Sequence, residues 1–316
     1  MPTFDNINLG FKRVFQPNQL TLGVGIPIEN NGSSAIATMD DHVKRVQLVE
    51  ELGFKAIWLR DIPFMVPSFG DAGQIFDPFT YLGFLSAQTT DIALGVASIA
   101  LPLHYPVHVA KSAASVDQLS GGRLILGVAS GDRKDEYPAM NISHDERGEL
   151  FRESFAYIRN AAESFPVLST KHYGNLTGGI DVLPKPTGSR IPLMVTGFSQ
   201  QSMEWNAIHS DGWMSYPRSI DEQTRLIKDW RKLIALDQPY DKPILQSMYV
   251  DLHPNDDFAP QPIPLGLWLG AKHLVAYLHQ LQAIGVNHVG IVLRFNNEPI
   301  PETLLRMSEK VLPHFH

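Results

Sequence analysis

Cysteine is missing from all 316 residues. That removes disulfides, thiolate metal sites and cysteine nucleophiles together, and it fits a reducing, cytoplasmic compartment. Positive charge is also scarce: 26 Lys and Arg stand against 33 Asp and Glu, a formal net charge of −7. A nucleic-acid surface needs clustered Lys and Arg, so no nucleic-acid partner is expected. No apolar run approaches the roughly 20 residues of a membrane helix. Met1–Gly10 lacks a basic region followed by an apolar one, so no membrane or targeting segment is expected either.

Several catalytic signatures are absent too. No G-x-x-x-x-G-K-[ST] occurs, and Gly23-Val-Gly25 is followed by Pro27 where a dinucleotide-binding helix would open. There is no G-x-S-x-G elbow. Twelve histidines invite a metal reading, but Pro106 starts a helix between His104 and His108, and the H-x-H at His314–His316 is terminal. A metal-dependent barrel hydrolase would place ligands directly after the first strand, where this chain has Gly25-Ile-Pro-Ile-Glu29. No metal is expected.

What is present is a recurring joint of amphipathic helix, glycine and short apolar strand. It appears at Glu51–Leu59, Leu119–Val128, Ser210–Tyr216 and Ala283–Leu293. Glycine directly after a helix takes the left-handed conformation that other residues avoid. In the helix before the first joint, Met39, Val43, Val46, Val49 and Leu52 form one apolar stripe, with Thr38 or Asp40 as its cap. Strands are predicted near 20–26, 55–60, 92–99, 123–129, 191–196, 212–216, 244–251 and 287–293. Helices are predicted near 38–52, 78–89, 106–119, 145–164, 199–209, 219–236, 271–284 and 301–311. Near-continuous apolar strands such as Leu124–Val128 are those of a parallel sheet buried on both faces. Eight strands alternating with eight helices make a (β/α)8 TIM barrel, as one domain over 1–316, with a doubly wound open sheet as the alternative.

Three segments are too long and proline-rich for plain connectors: 61–77, 166–190 and 253–270. The first and third follow strands two and seven, so they belong at the C-terminal mouth as lid candidates. In the second, Gly178–Leu183 reads as a short extra strand, either decorative or functional.

Barrel chemistry comes from the C-terminal strand ends. Those positions are Pro27 and Glu29, Arg60 and Asp61, Ser98, Ser130, Gly131 and Asp132, Thr196, Gly197 and Ser199, Tyr216, Asp251, His253, Arg294 and Asn296. Thr196-Gly-Phe-Ser199 leads into a helix whose free N–H groups suit an anion, with Ser199 as ligand or simply as cap. Ser130-Gly-Asp-Arg133 is a second phosphate candidate, or an ordinary glycine turn with a surface arginine. Arg60 and Asp61 either serve the site or pair at the rim with each other or Arg294. His104, shortly after the third strand, is an acid/base candidate or a packing residue. Trp58 reads as core. Trp268 covers a flat ligand or anchors its loop.

The run Asp117-Gln-Leu-Ser-Gly-Gly-Arg-Leu-Ile-Leu-Gly-Val128, preceded by Leu94–Ser98 and Pro106–Val116, resembles the bacterial-luciferase-like flavin monooxygenases. The helix 38–52 with Gly53–Trp58, and Asp211-Gly-Trp, extend the resemblance over about 20–295. It implies a luciferase-like barrel with extended mouth loops. It further implies reduced FMN, or F420 in one branch, with the phosphate against the loops after strands four and five. By position it points to Asp61, Ser98, Tyr137, Gly197 and Ser199 as cofactor-binding, and to a non-proline cis bond near Ala97-Ser98. Tyr137 rests on the resemblance alone. Ser130, Gly131 and Thr196 complete the cofactor-binding set, and His104 and Arg60 are the catalytic candidates.

The function that follows is oxygenation of a small organic substrate by reduced FMN and O2. With no dinucleotide fingerprint, a separate flavin reductase supplies the cofactor. An F420-dependent hydride-transfer enzyme and a non-catalytic flavin-binding protein are the alternatives. Pro78–Leu85 is apolar around most of a helix, and the next helix carries Ala110, Ser112, Ala113, Ala114 and Ser115, which predicts a homodimer through helices two and three.

Overall fold

The computed structural model describes residues 3–31, 34–70, 72–237 and 239–315. Met1, Pro2, Asp71 and His316, which enter the readings above, lie outside them. Eight strands form the barrel: β1 (Thr21–Gly25), β2 (Ala56–Leu59), β3 (Ala93–Ala100), β4 (Leu124–Ala129), β5 (Leu193–Thr196), β6 (Gly212–Ser215), β7 (Ile244–Leu252) and β8 (His288–Val292). Every neighbouring pair is parallel, and β8 pairs with both β7 and β1, so the sheet closes. The open-sheet alternative is thereby excluded.

Between and after the strands lie α1 (His42–Glu51), α2 (Pro78–Ser86), α3 (Pro106–Leu119), α4 (Arg147–Asn160), α5 (Met203–His209), α6 (Ile220–Asp237), α7 (Ala271–Ile284) and α8 (Ile300–Lys310). The outward residues of the strands pack with these helices in one large apolar cluster. Among the described residues no helix is long and apolar enough to cross a membrane.

Several local expectations change. Neither Thr38 nor Asp40 caps α1: the helix starts after a left-handed Asp41, and the buried Glu29 carboxylate accepts the Thr38 and Met39 N–H groups at 2.8 and 3.1 Å. α5 starts at Met203, capped by Ser202, not at Ser199. The extra strand in 166–190 is Asn175–Thr177, paired antiparallel with Val167–Ser169, not Gly178–Leu183. An N-terminal helix that the strand-helix alternation did not anticipate, Leu9–Val14, is capped by Asn8.

That helix closes the bottom of the barrel. Ile7, Phe11, Val14 and Phe15 pack with the inward residues Ala56, Trp58, Ala93, Ile125, Met194, Met214 and Leu245. Trp58 is fixed within this layer because its indole N–H donates to Nε2 of His288 at 2.9 Å. Indole N–H can only donate, so the His288 proton sits on Nδ1 and is donated to Thr21 Oγ1 at 2.7 Å. Thr21 donates in turn to the Val14 carbonyl at 2.7 Å. Gly23, Gly95 and Gly290 surround the indole ring, and a Cβ at Gly95 would come within 2.2 Å of one of its carbons.

The most specific stretch of the sequence is part of the scaffold. Asp117 is fully buried and accepts from Asn8 Nδ2, Thr187 N–H and Thr187 Oγ1 at 2.6–2.9 Å. Arg123, also buried, donates to the carbonyls of Ser86, Thr89, Ile92 and Ser120 and to Thr89 Oγ1. It thereby joins the end of α2 to the starts of β3 and β4.

Gly95→Ala is expected to lower stability by about 3 kcal/mol, because the added methyl meets a ring that its hydrogen bond prevents from turning aside. Urea unfolding of the variant against the parent checks this.

Candidate active site at the barrel mouth

Above Trp58 the inward positions lose their bulk. Gly25, Ala97, Ala129, Ser247 and Gly290 stand where a barrel of this type usually carries large branched side chains. The result is a cavity of about 570 Å³ opening at the C-terminal ends of the strands. Its floor includes Trp58 and Met214. Its walls include Arg60, Asp61, Ser98, Ser130, Gly131, Asp132, Thr196, Gly197, Ser199, Tyr216 and Arg294, all strand-end residues singled out above. The Ala97-Ser98 peptide bond is cis, as the resemblance implied.

The loops after β4 and β5 have the backbone that an anion site uses. Gly131 (φ 74°), Gly197 (φ 57°), Ser199 (φ 48°) and Gln200 (φ 60°) all take the left-handed region. Ser199 and Gln200 do so at a cost that non-glycine residues rarely bear. Left-handed residues in turns arrange successive N–H groups as an anion cradle. Ser199 is neither helix cap nor exposed: it is buried and donates to the Thr196 carbonyl at 2.8 Å. Arg133 is not a surface residue. It is buried in the cavity wall with its guanidinium 4.7 Å above the ring of Phe69.

Tyr137 does not reach the cavity. It is fully buried beneath the β4 loop, and its hydroxyl donates to the Ser130 carbonyl. Burial pushes its hydroxyl pKa upward, so it stays a donor. A Cβ on Gly131 would come within 2.8 Å of that hydroxyl. Tyr137 therefore shapes the loop from behind.

His104 is also set back. Its Nε2 lies 2.7 Å from Asp61 Oδ2, which also accepts the Ala100 N–H at 2.9 Å. Asp61 thus pairs with His104 rather than closing a rim ion pair, and His104 lines a groove outside the barrel instead of the mouth. Burial opposes charge on the imidazole, but the Asp61 hydrogen bond and charge, with Asp77 and Glu136 nearby, outweigh it and raise its pKa.

Four other strand-end candidates have structural work. Glu29 serves α1, as described. Asp251 accepts from the backbone and side chain of Asn297. Asn296 bridges the Leu252 N–H, the Glu298 carbonyl and Thr303. His253 stacks on Phe258 at 4.0 Å.

Of the long segments, 61–77 supplies Asp61, Ile62, Phe69 and Gly73 to the cavity wall. It is fastened by Gln74, which brackets the Arg60 backbone, and by Arg294, which donates to the Gly70 carbonyl. Segment 253–270 folds as a hairpin, Gln261–Ile263 with Gly266–Leu269, whose second strand runs parallel to the end of β7. Only Leu265 of it lines the cavity, and Trp268 packs on Phe258 and His253, anchoring the loop. Segment 166–190 contributes nothing to the mouth.

Sequence reasoning missed Glu136. It lines the cavity 3% exposed, and its Oε1 has no hydrogen-bond partner. Burial raises its pKa, with Arg133 and the Phe64 N–H acting the other way. The only signal was an acidic residue beside Tyr137 in a loop already suspected. Among the described residues one group has metal-ligand spacing, Glu149, Glu153 and His172, on the surface away from the cavity.

The raised pKa of His104 makes a testable contribution to stability. A group whose folded pKa exceeds its unfolded value of 6.5 stabilises fully below that pH, and the contribution fades as pH rises through the folded value. The stability gap between parent and His104→Gln is expected to narrow from about pH 6 to pH 8, read by thermal unfolding across that range.

Comparison with known proteins places this geometry. The family model described as luciferase-like monooxygenase matches residues 20–270. An uncharacterised protein of Mycobacterium tuberculosis is 32% identical over 174 residues, covering 52% of this chain and 61% of its own. The alkanal monooxygenase beta chain of Photorhabdus luminescens is 33% identical over 139 residues, 44% of this chain and 39% of its own. The chain thus spans less than two thirds of the curated relatives it matches. The monooxygenase RslO1 of Streptomyces bottropensis shares the fold with a TM-score of 0.77 at 19% identity, covering 93% of this chain and 99% of its own. An F420-dependent secondary alcohol dehydrogenase in complex with an F420-acetone adduct does so at 0.75 and 14%, covering 94% and 99%. The oxygenating constituent of the Pseudomonas putida 3,6-diketocamphane monooxygenase, in complex with FMN, does so at 0.74 and 13%, also covering 94% and 99%. With a closed parallel barrel, a mouth cavity and a family match over most of its length, this chain belongs to the luciferase-like monooxygenases.

Proposed function

We propose that the chain works as one barrel domain over 1–316 and is a flavin-dependent monooxygenase that uses reduced FMN and O2 to oxygenate a small organic substrate. The observation that carries this reading is the hollowed upper barrel. Small residues at five inward strand positions leave room for a flat ring above Trp58, beside two loops whose left-handed residues suit a phosphate. Bound there, FMN would supply the redox chemistry toward O2.

The protein's part is to hold, orient and exclude water. Ser130, Gly131, Thr196, Gly197 and Ser199 cradle the phosphate, and Arg133 supplies positive charge beside them. Asp61 and Ser98 meet the ring at the opposite wall, and Tyr137 fixes the β4 loop through the Ser130 carbonyl without touching the ring. Arg60 and Arg294 stand where an anionic part of cofactor or substrate would lie. The segment 61–77, tied to β8 through Arg294, screens the mouth from water. In this reading His104 acts through Asp61 rather than by contact. Reduced flavin comes from a separate reductase, because the chain carries no dinucleotide fingerprint.

Anaerobic titration with FMN, oxidised and dithionite-reduced, followed by fluorescence and absorbance, is expected to show binding that favours the reduced form. Gly131→Ala is expected to weaken it by about tenfold, since the new side chain must take a left-handed φ and meet the Tyr137 hydroxyl. Binding of F420 with no binding of FMN, or rapid NAD(P)H oxidation by the purified chain alone, would overturn this reading.

Self-association follows from the outer face. Phe84 of α2 and Leu119 of α3 are exposed, and Phe79, Gly83, Ser112 and Ser115 line the groove between the two helices. A homodimer through α2 and α3 would pack through the exposed apolar side chains that flank this groove, and light scattering is expected to give twice the 35.2 kDa chain mass. A monomeric mass would refute it.

A further inference from the structure

Asp61 and His104 form one hydrogen-bonded pair that spans two compartments. Asp61 lines the mouth cavity, whereas His104 lines the groove between α2 and α3, together with Thr80, His108 and Ser112. The pair is 2.7 Å long, and its side chains are 2% and 25% exposed. A carboxylate only accepts, so Nε2 of His104 carries a proton in every charge state of the ring, and Nδ1 is where a further proton is gained or lost. The exposed quarter of the imidazole opens to the groove, so that proton comes from outside the barrel rather than from the mouth.

The surrounding charges favour the cation. Asp77 heads α2, and Glu136 stands on the mouth side after β4. Facing them are Arg60 and Arg133 in the cavity wall and Lys111 across the groove. An additional negative charge in the cavity, which His104 faces across Asp61, favours the imidazolium by coulombic attraction of the same sign as that of the carboxylates already there.

We propose that His104 takes up one proton from the groove when an anion enters the mouth cavity, and returns it when the anion leaves, so that the Asp61–His104 pair balances charge across the barrel wall. The step adds one solvent proton to Nδ1 and breaks no other bond. His104 is a positioning residue in this scheme, since it never meets the ligand. The proposal rests on the cavity being an anion site, and for FMN as the anion it rests on the flavin reading above.

The test is a histidine titration followed by NMR on uniformly 15N-histidine-labelled protein in its native assembly, with His104→Gln assigning the signal. Three arms are run: no ligand, inorganic phosphate, and FMN. The expected result is a His104 titration whose midpoint moves to higher pH with either anion. By linkage, a midpoint raised by about one pH unit means a tenfold loss of anion affinity as pH rises past the titration, and that loss is absent in His104→Gln. Asp61→Asn, which needs no ligand, is expected to move the unliganded titration to lower pH.

An unchanged titration in Asp61→Asn overturns the proposal. So does an anion that binds by fluorescence or chemical shift without moving the His104 signal. If phosphate moves the signal while FMN fails to bind, the proton uptake stands and the flavin reading falls.

Discussion

The hydrogen bond from Trp58 to His288 is the constraint around which the barrel interior is arranged. It fixes the largest inward side chain in one orientation, and that orientation leaves no room for a side chain at Gly95 and crowds Gly23 and Gly290. Below the indole the interior is packed by methionines and by the N-terminal helix. Above it several inward strand positions carry only Gly, Ala or Ser. The cavity is thus the upper half of a barrel whose lower half has been filled by one ring and a plug, and its depth is set by where that ring lies.

The chemistry is distributed around the hollow in an uneven way. The β4 and β5 side offers left-handed turns, hydroxyls and Arg133, suited to binding an anion by backbone and charge. Asp61, after β2, is held by an imidazole, whereas Glu136, in the β4 loop beside Arg133, keeps an oxygen to spare.

Much of this was legible in the sequence. The alternation of glycine joints with apolar strands located the eight barrel strands and the eight helices that alternate with them within a few residues, because parallel strands and their joints follow from local composition. Asp61, Ser98, Gly131, Gly197 and Ser199 were legible as mouth residues because barrel geometry puts strand ends there. What was not legible depended on tertiary partners. His104 looks like a mouth residue until Asp61 is seen to draw it outward. Glu29 looks like a strand-end ligand until it is seen to serve α1. Glu136 is invisible because burial of a carboxyl in a loop has no local signature. The most recognisable run, from Asp117 through Arg123, is a buried fastening between helix ends and strand starts, so the part that identifies the family is not the part that meets a ligand.

The chain of hydrogen bonds from Trp58 through His288 and Thr21 to Val14 links residues up to 267 positions apart. It cannot form until the last strand has reached the first, because His288 opens β8 and Thr21 opens β1. Until then the indole N–H lacks its acceptor and the floor of the cavity has no fixed position. Assembly of this barrel is therefore governed by a contact of very high sequence separation, the kind whose loop-closure entropy slows folding. A half-built chain emerging during synthesis has its signature segment and about half of its helices but no binding site, and the site appears only when the ring of strands closes.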